Sequence, residues 1–223
     1  MKVIDISMMV DTGFDMHTPA GVKNVGLSLE VIKDHDSAEG AGQLVRAITA
    51  RLHSGTHVDA PEHAVKGGKQ THDIPVETFV GPAVVANMSH KSPGGAITVE
   101  DLEKDIGSLL KEGDRMLVRT DWNDQYGKPN YEQDSPYLSV EALQWCVDKK
   151  LKIVGFDFAH IKDDPKSPQQ YYTTFHLLGN NVLTLVRLTN LRSISKKRVT
   201  LICLPLPIKG CEASLCRAVV LED

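Results

Sequence analysis

The chain has 223 residues, 41% of them hydrophobic and 24% charged, with a formal net charge of −4. That length suits one domain with a full core, or one domain with an arm, and the composition excludes a disordered or fibrous chain. The mild acidity gives no reason to expect nucleic acid or anionic lipid as a partner, and no apolar run approaches the roughly 20 residues that span a bilayer.

The opening "MKVIDISMMVDTGFD" has one lysine and then acidic residues within a short apolar stretch, a poor secretory signal and a good first strand over Val3 to Ser7. Residues 11 to 45 are poorly patterned and contain glycines, which suits a mobile flap or an arm packing on a neighbouring subunit. A strand follows at Ala83 to Met88. In "AITVEDLEKDIGSLLKEGD", Thr98 is a helix N-cap with Asp101 three residues on. Leu102, Ile106, Leu109 and Leu110 share one helical face, and Gly113 is the expected stop. After a strand at Arg115 to Arg119, "LSVEALQWCVDKK" repeats the helical pattern with Ser139 as cap. Its buried side is Val140, Leu143, Cys146 and Val147.

Further strands are expected at Ile153 to Phe158, Val182 to Val186 and Val199 to Leu206. The last ends in "LPLPI", whose two prolines call for an edge position or a break. Arg192, Lys196, Lys197 and Arg198 form the one basic cluster, without interleaved aromatics, and read as a solvated turn. Cys146, Cys203, Cys211 and Cys216 include no C-x-x-C pair, so they read as reduced thiols in a cytoplasmic protein. With no repeat and no linker, residues 1–223 read as a single domain. Strands outnumber the two clear helices and occur both singly and after helices. The pattern indicates a mixed α/β or α+β layer structure rather than a regular βαβ repeat.

The chemistry concentrates in "HSGTHVDAPEH", residues 53 to 63. His53, His57 and Asp59 offer imidazole nitrogen and carboxylate oxygen, which suit Zn²⁺ or Mn²⁺, and three protein ligands leave positions open for water or substrate. Gly55 permits a tight bend between the first two histidines, and residues 57 and 59 of an extended segment face the same way. Pro61 biases Ala60 away from helix, placing the group on a turn that runs into a short strand, with His63 swinging back just beyond. One such histidine would be a surface residue; three with an aspartate in eleven positions favour a metal. A cation so held lowers the pKa of bound water from about 15.7 towards 7 and polarises a carbonyl. His63 is then the best group to move protons, since an unliganded imidazole titrates near neutrality. His17, His35, His72, His90 and His160 read as ordinary polar residues, His17 or His90 being the ones able to line the pocket. Asp73 reads as a turn residue.

The same eleven residues resemble the H-x-G-T-H-x-D-x-P-x-H motif of the cyclase family of metal-dependent hydrolases, which includes bacterial kynurenine formamidases (arylformamidases) and isatin hydrolases. The similarity continues through "VIDISMMV", "GGKQTHDIPVETFVGPAVV", "GDRMLVRTDW", "LKIVGFDFAHIKDD", "LLGNNVLTLVRLTNL" and "LPLPIKGCEASLCRAVVLED". It implies an α/β fold of the swivelling β/β/α type, with a mixed sheet and a few helices. It also implies His53, His57 and Asp59 as metal ligands, His63 as acid/base, hydrolysis of a small amide, and a homodimer or homotetramer.

The chain departs from that pattern where two-metal members place a second-site histidine and glutamate. Those positions carry Thr174 and Val186 here, and no Asp or Glu lies between Asp164 and Glu212. His176 remains a candidate pocket residue. The usual G-S-P becomes "EAS" followed by Leu215, and T-G-W becomes Thr120, Asp121, Trp122. The expected activity is cleavage of N-formylkynurenine to kynurenine and formate. The alternatives are isatin-type ring opening with one metal, or a non-catalytic ligand-binding homologue. Trp122, Tyr126, Tyr171, Tyr172 and Phe175 are candidates for stacking on an aromatic substrate. A thiol-dependent hydrolase is disfavoured, because no cysteine lies near the motif.

Overall fold

The computed structural model describes residues 1–12, 27–37, 41–159 and 162–223. Strands β1 (Lys2–Asp5), β2 (Ser28–Lys33), β3 (Val45–Thr49), β4 (His57–Asp59) and β5 (Val80–Asn87) precede the first helix. After β6 (Ala96–Ile97) come α1 (Val99–Leu102), β7 (Arg115–Arg119), β8 (Tyr137–Leu138), α2 (Val140–Asp148) and β9 (Ile153–Phe156). The chain ends with α3 (Tyr172–Gly179), β10 (Leu183–Val186), β11 (Arg198–Ile202), β12 (Ala213–Leu215) and β13 (Val219–Glu222).

Nine strands form one mixed sheet in the order β1-β13-β11-β5-β7-β9-β10-β4-β12. β5, β7, β9 and β10 run parallel at its centre, and every other pairing is antiparallel. The parallel strands are buried on both faces, which is why they read as continuous apolar runs rather than alternating ones. Val84, Ala86, Met116, Val118, Val154 and Phe156 pack under the helices with Leu102, Leu143, Cys146 and Leu177. Ala83, Val85, Leu117 and Ile153 point the other way and join Ile4, Val58, Leu185, Leu201 and Val220 in a second core without helices. Each fully buried Leu or Ile here contributes about 1.5–3 kcal/mol by leaving water, and Leu143→Ala would cost about 2–5 kcal/mol.

The α/β expectation holds, with corrections in detail. Thr98 does cap a helix: its Oγ1 accepts from Asp101 N, and Asp101 Oδ2 accepts from Thr98 N at 2.7 Å. After α1, however, the backbone widens into a π-turn over Glu103–Gly107, and Ile106 O takes bonds from both Leu109 N and Leu110 N. The helix therefore ends before Gly113, which instead sits at φ +81° in the turn leading to β7. Leu109 is correspondingly exposed. α2 starts at Ser139 as expected, with Ser139 Oγ accepting from Ala142 N at 3.1 Å.

α3 was not legible, because its cap is remote in sequence. Asp163 accepts from Tyr172 N at 3.0 Å and from Thr173 N at 2.9 Å. β11 stops at Ile202 in the interior of the sheet, so the prolines of "LPLPI" mark a break and not an edge. β12 and β13, beyond that break, went unpredicted. Within residues 11 to 45, β2 forms an antiparallel pair with β3, which starts at the end of that stretch, and every residue of the pair is exposed; residues 13–26 and 38–40 lie outside the described residues. Three of the four basic-cluster side chains are paired with acids: Arg192 with Asp124, Lys197 with Asp105, and Arg198 with Asp114. All four cysteines are free thiols.

Candidate metal centre

Residues 53–63 run from a turn into β4 and out through a single 3₁₀ turn over Pro61–His63. The turn needs its glycine: Gly55 sits at φ +58°, and a Cβ there would lie 2.9 Å from Val10 Cγ1. Thr56 fastens the turn to two other segments, donating Oγ1–H to Arg187 O at 2.7 Å and accepting from Met8 N at 2.8 Å. β4 then lies between two antiparallel neighbours. β10 aligns Thr184 with Asp59 and Val186 with His57, while β12 aligns Ala213 with Asp59 and Leu215 with His57. The two-residue period of the strand sends His57 and Asp59 to one face, and His53 approaches them from the turn.

One ligand atom from each of His53, His57 and Asp59 lies within 4.8 Å of the other two. His53 Nδ1 is 2.9 Å from Asp59 Oδ1, and His57 Nε2 is 3.3 Å from the same oxygen. Beyond these mutual contacts, the buried His57 Nε2 and Asp59 Oδ1 have no hydrogen-bond partner. Unsatisfied polar atoms are costly in a folded interior, and two that converge with a third donor fit a divalent cation. The remaining polar atoms are tied down. His57 Nδ1 meets Gly55 O at 2.7 Å, and Asp59 Oδ2 accepts from Thr184 Oγ1 at 2.8 Å.

The electrostatics agree with that arrangement. Burial alone would raise the Asp59 carboxyl, but the His57 and His53 imidazoles reverse it and hold it well below the usual range. Burial works against a charged His53, yet Asp59 and Glu212 outweigh it and the ring sits above the ordinary histidine value. His63 packs its ring 4.2 Å from that of His53, centroid to centroid. Burial of its ring holds His63 below the ordinary value, although the residue as a whole is exposed.

The structure thus gathers His53, His57, Asp59 and His63, and adds a residue that sequence reasoning missed. Glu212, immediately before β12, places Oε1 3.1 Å from His53 Nε2. Its one sequence signal was to be an isolated carboxylate ending a long acid-free stretch. His176 lies on α3 with its ring 5.0 Å from that of Tyr172, and burial lowers its pKa. It belongs to neither group of potential metal ligands among the described residues. Val186 is buried on the face it shares with His57, leaving that flank apolar where a two-metal pattern would need a carboxylate.

Of the other histidines, His90 is exposed, His35 Nδ1 meets Gly42 O at 2.8 Å, and His72 Nε2 lies 3.3 Å from Asp73 Oδ1. His17 and His160 lie outside the described residues. Asp73 closes a 3₁₀ turn, its Oδ2 accepting from Gln70 N at 3.0 Å. Among the aromatics, Trp122 and Tyr172 pack on the helix-side core and Tyr171 and Phe175 are exposed. Tyr126 lines a cavity of about 290 Å³ with Tyr131 and Arg187.

The family model described as Cyclase matches residues 4–162, more than half of the chain. The chain belongs to the cyclase family. A kynurenine formamidase of Bacillus cereus is 27% identical over 219 residues, covering 97% of this chain and 96% of its own. The solved isatin hydrolase A of Labrenzia aggregata, bound to benzyl benzoate, is 26% identical with a TM-score of 0.85, covering 98% of this chain and 93% of its own. Isatin hydrolase A of Ralstonia solanacearum gives 25% and 0.87, with 100% and 92% covered. Family membership therefore extends to a common α/β fold with a large mixed sheet, in which this chain places its motif strand between two others.

Proposed function

We propose that this chain is a metal-dependent hydrolase that cleaves the C–N bond of a small amide at a single cation. The observation that carries the reading is the convergence of His53 Nδ1, His57 Nε2 and Asp59 Oδ1, two of them buried with no hydrogen-bond partner outside the trio. These three atoms would hold Zn²⁺ or Mn²⁺, and such an ion, when bound, supplies Lewis acidity to a water and to the substrate carbonyl. The buried Asp59 carboxylate offsets part of the ion's charge, and Thr184 fixes which of its oxygens turns inward. His63, shifted towards its neutral form and open on one side, takes the proton from the attacking water. As the C–O bond forms and the C–N bond breaks, it returns that proton to the leaving nitrogen.

Kynurenine formamidases cover nearly the whole chain, which supports N-formylkynurenine as the first substrate to try, giving kynurenine and formate. A second reading, ring opening of a cyclic amide of the isatin type, is favoured by Val186. Its apolar side chain beside His57 leaves one cation to do the chemistry. Residues 1–223 act as one domain in this reading, since strands from both chain ends share the nine-stranded sheet. A cytoplasmic homodimer or homotetramer is part of the proposal, supported by exposed Leu29, Val31 and Ile48 on the β2–β3 pair. No helix among the described residues is long and apolar enough to cross a membrane. The test is formate release from N-formylkynurenine, and ring opening of isatin, with added Zn²⁺ or Mn²⁺. Bound metal without turnover on a panel of amides, lactams and esters would replace the enzyme by a ligand-binding homologue.

A further inference from the structure

A metal-binding imidazole must present a lone pair to the ion, so its other nitrogen has to carry the proton, and whatever accepts that proton sets the ring's tautomer and orientation. For His57 the acceptor is local: Gly55 O, 2.7 Å from Nδ1, leaves Nε2 free to face Asp59. His53 has the opposite sense, with Nδ1 turned to Asp59 Oδ1, so with a cation between those two atoms its proton belongs on Nε2. The group that Nε2 meets is Glu212 Oε1, at 3.1 Å with hydrogen-bonding geometry. Nothing in the order of the chain would pair these residues. Glu212 arrives because β12 docks antiparallel on β4, and Ala60 N donates to Glu212 O at 2.8 Å, pinning the backbone beside the motif.

We propose that Glu212 is a positioning residue for the metal centre: its carboxylate holds His53 as the Nε2–H tautomer and so delivers the Nδ1 lone pair to the cation. The inference rests on the metal reading above. Glu212 touches neither cation nor substrate in this role. His53, His63 and Glu212 could themselves be taken for a second cation site, since one ligand atom of each lies within 4.8 Å of the others. The hydrogen bond argues against it. A nitrogen that carries a proton has no lone pair to give, and His53 could serve two cations only by losing its last N–H proton, which leaves only in strong base. The centre then has one clamp on each flank of β4: Thr184 from β10 on Asp59, and Glu212 from beside β12 on His53.

The experiment compares the parent chain with Glu212→Gln and Glu212→Ala in three measurements. Zinc affinity is measured by competition with a chromophoric chelator, and zinc per chain by elemental analysis. The His53 Nε2–H proton and its exchange with water are read in ¹H–¹⁵N spectra of the zinc-loaded protein. We expect Glu212→Ala to weaken zinc roughly 10–100-fold and to expose the His53 Nε2 proton to fast exchange, with the metal-free melting temperature unchanged. Glu212→Gln keeps an oxygen acceptor, so it should retain the protected proton and most of the affinity. Unimpaired zinc binding or an unchanged exchange of that proton in Glu212→Ala would overturn the inference alone. Two zinc ions per parent chain falling to one in Glu212→Ala would overturn it in favour of the second site. A parent chain that takes up no zinc would overturn the metal reading along with it.

Discussion

Thr184 Oγ1 donates to Asp59 Oδ2 at 2.8 Å, and both side chains are fully buried, on adjacent strands that carry the two residues in register. The bond occupies one carboxylate oxygen and leaves Oδ1 facing the two imidazoles, with no other partner. Thr184→Val keeps the shape and removes the donor. Zinc affinity should fall roughly 10–100-fold, because the carboxylate is then free to turn and its buried Oδ2 is unsatisfied. Competition titration of the folded variant measures this, and an unchanged affinity would show that packing alone orients Asp59.

His57→Ala deletes a proposed ligand, so metal and activity should disappear together. Elemental analysis after dialysis, run beside the hydrolysis assay, gives both readings. Activity persisting without metal would end the metal mechanism.

His63→Ala should separate the two. Metal content stays at the parent level, while the rate on a confirmed substrate falls roughly 100-fold or more, as for a lost acid/base. A full rate in this variant would remove His63 from the mechanism.

Acid should strip the cation through His53. Its pKa is raised, so as pH falls it is protonated sooner than an ordinary histidine, and an imidazolium cannot bind metal. Asp59, held well below the usual range, stays ionised through the same window. Affinity is therefore fully present above the raised His53 value. Below it affinity is lost by about tenfold per pH unit for each proton the metal displaces. Binding curves across pH check the slope, and a flat profile through that window would contradict it.

Asp157 governs a different pH dependence. Burial pushes its carboxyl up to about 7, even though Thr120 N, Thr120 Oγ1 and Asp121 N all donate to it. The folded chain then holds this proton more tightly than the unfolded chain, whose value is about 3.9. The sign follows: stability is highest below that unfolded value, falls as pH rises towards about 7, and levels off above it. Asp157→Asn should remove the slope, at a cost of about 1–3 kcal/mol for a donor left without its acceptor. Chemical denaturation at about pH 5 and about pH 8 compares the two proteins.

Much of this was legible because it is local. Gly55, Pro61 and the two-residue period fix the shape of residues 53–63, and Thr98 and Ser139 announce the helices they cap. Where the signal was not local, reading failed. The cap of α3 is Asp163, nine residues before Tyr172, and no pattern within "YYTTFHLLG" reveals it. β12 and β13 are short strands stabilised by neighbours far away in the chain, so their own composition understates them. The apolar period carries the helix from Thr98 too far, since Leu109 fits that period but is exposed.

By itself the sequence determined that three imidazoles and a carboxylate crowd one bend, because backbone stereochemistry over eleven residues is set by those residues. Only the tertiary structure decided what holds them in place. Thr184 is 125 positions from Asp59 and Glu212 is 159 from His53, and each is brought there by a strand on one side of β4. Strand order and register decide such meetings, and they depend on burying both faces of the whole sheet at once, which no short stretch of sequence encodes.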